Sequence, residues 1–189
     1  MIMVVFNKSG DIFRLDYTIL QNDFFNRYWS KSYLDEDIKI LVRDEGYANF
    51  EFDCGSWKSE AIIQQQLYEA FDLPHGDLEM QRLHFDAMAD WFMDLEDDER
   101  DKVVVFRHFD KIERIGTCDN FVKYLLETFY ETARRHLLFG NRYIILFQVD
   151  NPEYQFPEIE LRAMQWNNHE WLTEKHTRKS EKKEEHNDN

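Results

Sequence analysis

Residues 102–106 read KVVVF, and further along the chain 142–149 read RYIILFQV. An apolar run without polar alternation suits a strand covered on both faces, as in a parallel sheet flanked by helices. Between the two runs, residues 120–135 repeat apolar side chains at helical spacing, and Gly140 is a breaker ahead of the second run. Strand, helix, strand predicts a crossover between parallel neighbours.

Working outward, FEF at 50–52 is strand-like, and Ser59 can cap a helix running to about Phe71, with Ile63, Leu67 and Phe71 on one side. Pro74 stops that helix. A loop then leads to a second helix, from His84 to about Leu95, and the acidic run EDDERD (96–101) separates it from KVVVF. The fold class expected is α/β, a small parallel sheet packed with helices over residues 50–150.

Residues 1–49 read as a strand-rich extension. MVVF (3–6) and IFRLDY (12–17) flank NKSGD (7–11), whose Gly10 and Asp11 suit a turn with positive φ, so a β-hairpin is expected. FFNRYWS (24–30) is ambiguous, and DIKILVR (37–43) alternates enough for a further strand. Residues 151–172 form a second extension, in which AMQWNNHEWL (163–172), with Trp166 and Trp171, is a candidate helix docked on the domain. The tail 173–189 is polar throughout and reads as disordered.

The formal net charge is -15 with a pI near 4.8, and the tail carries as many bases as acids, so the acidity belongs to the rest. Such a surface argues against direct binding to nucleic acid or an anionic membrane and favours a basic partner. The start of the chain does not resemble a secretory signal and no apolar run is long enough to cross a bilayer. Cys54 and Cys118 lack metal-site spacing and form no disulfide framework, so a reducing cytoplasm is the expected setting.

The helix from His84 carries the most informative pattern. At about 100° per residue, Phe85, Met88, Trp91, Phe92 and Leu95 share one side, which must face the core. Asp86, Asp90 and Asp94 share the other, with Ala89 and Met93 beside them. Like charges four apart cost a helix roughly 0.2–0.5 kcal/mol per pair, and Asp94 also opposes the helix dipole. The pattern is either a solvated face of an acidic protein or a surface that binds cations. On the later helix, Val122, Leu125 and Phe129 face inward while Tyr124, Glu127 and Glu131 face outward. Glu131 also precedes Arg135 by four residues, the favoured orientation for an intrahelical ion pair, so it has a local role available as well.

The strings FDLP (71–74), HFDAMADWFMDL (84–95), VVVF (103–106), FVKYLLETFYETARR (121–135) and RYIILFQ (142–148) together resemble the barstar family, inhibitors of barnase-like ribonucleases. The resemblance spans residues 50–150 and is most specific in FDAMADWF. It implies a three-stranded parallel sheet packed with helices. It also implies inhibition by an acidic helix whose carboxylates take the place of RNA phosphates in the nuclease active site. The matching acids are Asp86 and Asp90, with Asp90 at the central inhibitory position, and Glu131 on the later helix. Three departures are plain: the loop HGDLEMQRL (75–83) is longer than the family's and lacks its tyrosines, His84 stands where Asn is usual, and Ala89 replaces a tryptophan. They leave the charges but change the shape around them, which suits a different nuclease.

The partner-binding set expected is therefore His84, Asp86, Ala89, Asp90, Met93, Asp94, Glu127 and Glu131, facing a basic ribonuclease or toxin. HFD occurs at 84–86 and again at 108–110, with His and Asp close enough to share a metal. However, no nucleophile motif or Gly-rich phosphate loop accompanies them, so neither catalysis nor a metal or other cofactor is expected. The competing expectation is a non-inhibitory interaction module on the same scaffold, with binding carried by residues 1–49 or 151–172.

Overall fold

The computed structural model describes residues 6, 10–73, 85, 88, 90, 92, 100–115, 120–159, 164–167 and 170. Five strands, β1 (Phe25–Tyr28), β2 (Ala48–Asp53), β3 (Lys102–Arg107), β4 (Tyr143–Gln148) and β5 (Gln165–Trp166), form one sheet in the order β2-β3-β4-β1-β5. All four pairings are parallel. The helices are α1 (Leu15–Leu20), α2 (Lys31–Arg43), α3 (Glu60–Ala70) and α4 (Phe121–Leu138), and Phe85, Met88, Asp90 and Phe92 are also helical.

The apolar runs that led the sequence reading are β3 and β4, side by side at the centre. Val103, Val105, Ile144 and Leu146 point to one layer, where they meet Ile19 of α1 and Leu34, Ile38 and Leu41 of α2. Val104, Phe106, Ile145 and Phe147 point to the other, against Ile63 and Leu67 of α3, Met88, Phe92, and Leu125 and Phe129 of α4. Both faces of each strand are dry, which is why neither strand alternates. The two-sided arrangement follows from chirality. The crossover from β1 to β2 runs across the sheet in the direction opposite to those from β2 to β3 and β3 to β4, and right-handed crossovers in opposite directions put their helices on opposite faces.

The α/β class and parallel sheet are as expected, but the sheet has five strands where the resemblance implied three. The added strands come from the two flanking regions. Among the described residues up to 49, helix outweighs strand. Asp11–Phe13 is a 3-10 turn and Leu15–Leu20 a helix, so the second half of the expected hairpin is helical; residues 3–5 and 7–9 lie outside the described residues. The cause is non-local, since the Glu45 carboxylate accepts the backbone N–H groups of Leu15 (2.7 Å) and Asp16 (3.2 Å) and so caps the helix. DIKILVR is also helical, as the second half of α2. Ser30 Oγ accepts from Tyr33 N, and Leu34, Ile38 and Leu41 then fall on the buried side at a spacing that a window starting at Asp37 hides.

The strand in this region is FNRY, whose outward-reading residues Asn26 and Arg27 disguise it. At the other end, Gln165 and Trp166 form β5 instead of a helix, because they pair with Asn26 and Arg27 along the edge of β1, while Glu170 of the expected helix is helical. Trp171 and the tail from 173 lie outside the described residues.

Candidate functional site

Of the expected partner-binding residues, Asp90, Glu127 and Glu131 are described; His84, Asp86, Ala89, Met93 and Asp94 lie outside the described residues. Asp90 belongs to a helical turn fastened through its inner side. Met88 and Phe92 are fully buried, and the Phe92 ring packs edge-on to Phe71 at 4.8 Å and against Phe129 at 5.3 Å. Phe85 meets Phe121 at 5.3 Å.

A polar contact completes the attachment: His136 of α4 lies 3.1 Å from the Phe92 carbonyl through Nε2. A carbonyl can only accept, so Nε2 carries the proton. Burial lowers the pKa of His136, which keeps the ring neutral beside Tyr143, on which it stacks. With the inner side fixed in this way, the Asp90 carboxylate points outward, and its side chain is 79% exposed.

Glu131 and Glu127 lie on α4, which borders that turn. Glu131 Oε1 accepts from Arg135 Nε at 2.9 Å, the intrahelical pair that the spacing allowed, and Arg134 Nε lies 3.4 Å from Glu131 Oε2. The same Arg135 guanidinium reaches 3.9 Å from Asp90 Oδ1. Arg135 thus joins two of the expected acids from different helical segments. Glu127 pairs with Lys123 at 3.7 Å and is half-buried, while Tyr124 on the same helix is exposed. The geometry is a solvated face on which acids alternate with bases of α4, and Asp90 is the acid least engaged: among the described residues no hydrogen-bond donor reaches it.

A second group of charges gathers at the carboxyl ends of the strands, where ligands of open parallel sheets commonly bind. His108 follows β3 with φ of +54°, a left-handed conformation that a residue with a Cβ rarely adopts. Its N–H donates to Gln148 Oε1, and its Nδ1 lies 3.0 Å from the Asp150 carboxylate just past β4. Lys31, the first residue of α2, approaches His108 Nε2 at 3.3 Å and Asp150 at 3.8 Å. An ammonium donates, so Nε2 accepts and Nδ1–H faces Asp150, which engages both ring nitrogens.

Lys111 bridges Asp110 (3.0 Å) and Asp150 (3.1 Å), and Asp110 also accepts the Asp150 N–H. Burial alone would raise the Asp150 pKa; hydrogen bonds from His108, Gln148 and Lys111 outweigh it and hold the carboxyl far below the usual range. In the sequence His108 and Asp110 stand together in HFD (108–110). The structure instead joins His108 to Asp150, through a sequence separation that no local motif reveals. The cluster ties the ends of β3, β4 and α2 together, and its cations and acids satisfy one another.

No family model matches the chain, and no curated protein does. Among the described residues no group of three His, Cys, Asp or Glu side chains is placed to hold a metal ion, and no helix is long and apolar enough to cross a membrane.

Proposed function

We propose that this chain inhibits a basic ribonuclease or ribonuclease toxin in the cytoplasm of the cell that makes it, by laying the acidic face around Asp90 over the nuclease active site. The observation that carries the reading is the orientation of Asp90: Met88 and Phe92, two residues to either side, are fully buried, while the carboxylate between them is open to solvent. A helix that fixes one side in the core and leaves a carboxylate solvated on the other has an acid exposed to a cation on another molecule.

The order of elements from β2 to β4, with α3, the Asp90 turn and α4 on one face, supports the reading because it is the arrangement that the barstar resemblance implies. In this mechanism Asp86, Asp90 and Glu131 stand in for RNA phosphates, and His84, Ala89, Met93, Asp94 and Glu127 shape the contact. The protein contributes no catalysis and needs no metal; long-range attraction brings the basic nuclease in, and desolvated charge pairs retain it.

The test is a pair of variants measured by stopped-flow against a barnase-type ribonuclease, with RNA cleavage as the functional readout. Asp90→Ala is expected to weaken binding by ~2–5 kcal/mol, mainly through faster dissociation, because it strands a buried cation on the nuclease. Asp98→Ala, in the acidic run, is expected to change chiefly the salt-dependent association rate. Equal and small effects of the two would place binding elsewhere and favour the non-inhibitory module.

A further inference from the structure

The acidic face already contains a guanidinium. Arg135 is anchored by Glu131, whose position four residues earlier favours the pair, and it lies in the last turn of α4, where the helix dipole favours a cation. From that anchor its Nη1 comes within 3.9 Å of Asp90 Oδ1. This separation is too long for a hydrogen bond but short enough for charge to act. Asp90 thus has a cation beside it, yet among the described residues none donates a hydrogen bond to it.

We propose that Arg135 is an internal competitor for the partner's cation, a specificity-determining residue that sets how strongly Asp90 attracts a basic group. The proposal rests on the inhibitor reading and deepens it. A cation drifting past Asp90 meets a carboxylate whose charge Arg135 already offsets, so proximity alone earns little. A partner gains only by presenting a guanidinium or ammonium group on the open side of Asp90, where it can make the directional hydrogen bonds that Arg135 does not. The partner class is therefore a protein with a rigidly placed basic residue in a concave, desolvated site, in contrast to a flexible basic tail.

Any loss of positive charge will speed association with a basic partner, so the experiment must separate local competition from general electrostatics. Wild type, Asp90→Ala, Arg135→Ala, the double variant and Lys39→Ala are titrated with a barnase-type ribonuclease at two salt concentrations. Lys39 is the control because it is exposed on α2, on the opposite face of the sheet. Arg135→Ala is expected to tighten binding about two- to fivefold beyond Lys39→Ala, the scale of one exposed ion pair, and the gain should disappear in the Asp90→Ala background.

A gain that persists without Asp90, a gain equal to that of Lys39→Ala, or weaker binding would overturn the proposal while leaving the inhibitor reading intact. If Asp90→Ala itself leaves binding unchanged, the inhibitor reading falls and the competitor role with it.

Discussion

Asp16 and Asp90 are both acids beside arginines, but the first has no solvent exposure and the second is almost fully solvated. Asp16 lies in α1, close to the start of β4. It accepts from Arg14 through both carboxylate oxygens (2.7 and 3.0 Å), from Tyr47 Oη at 2.9 Å and from Arg142 Nη1 at 2.8 Å. Among the described residues Asp90 has one ion pair, at 3.9 Å. Burial opposes the charge on Asp16, yet the hydrogen bonds from Arg14 and Tyr47 and the nearby guanidiniums hold its carboxyl below the usual range. The contrast separates two uses of charge: an acid saturated by its own chain holds the fold together, and an acid left open is available to another molecule.

That contrast is sharpest in stability. Asp16→Ala takes its acceptor from a buried phenol and the shortest carboxylate contact from two guanidiniums, although Arg142 keeps Asp101 at 3.2 Å and Arg14 keeps Asp11 at 3.9 Å, so it should cost about 3 kcal/mol, the low end for breaking one side of a buried ion pair. Chemical denaturation would show it as a lower midpoint. A loss under 1 kcal/mol would mean that solvent replaces the acid and that the network is not structural.

Acid should expose the same division more gently. Both Asp16 and Asp150 have depressed folded-state pKa values, so their contribution is complete above the unfolded value, about 4, and is lost as pH falls through the folded values. Stability should therefore decline below about pH 5, and the acid limb should be shallower in Asp150→Asn. Denaturation midpoints between neutral pH and pH 2 would test the sign. An acid limb unchanged by Asp150→Asn would show that the His108 cluster does not hold the strand ends.

The smallest expected effect belongs to Asp90. Asp90→Ala should alter unfolding free energy by no more than about 0.5 kcal/mol, as for an exposed site. A large destabilisation would erase the comparison, because it would make the Arg135 contact part of the fold.

How much of this was legible depends on how local each cause is. β3 and β4 were plain because burial on two faces writes an unbroken apolar run into the sequence itself. α3 was equally plain, with Ser59 as cap and Ile63 and Leu67 on the buried side. β1 was hidden because its meaning comes from elsewhere: Asn26 is buried and donates to the Asp23 carbonyl, and the Arg27 guanidinium stacks on Trp166, which is distant in sequence. α1 depended on a carboxylate from residue 45, and β5 on an edge that only the finished sheet provides. At the site, helix arithmetic placed Asp90 outward and Glu131 beside Arg135. It could not find that Arg135 also faces Asp90, or that His108 meets Asp150, because each pair joins separate elements.

The place of β1 in the sheet also sets a timetable. Its only neighbours are β4 and β5, so Phe25 waits for Ile145 and Arg27 for Trp166 before either can pair. As the chain leaves the ribosome, β2, β3 and β4 can assemble in order, each beside the strand made just before it. β1, although made first, can be inserted only after β4 exists, and such long-range closure is slow. Until then α1 and α2 have no completed surface to cover, and the layer they bury remains open to solvent or to a chaperone. β5, the last of the described strands to be made, closes the remaining side of β1 and so locks in the first of them.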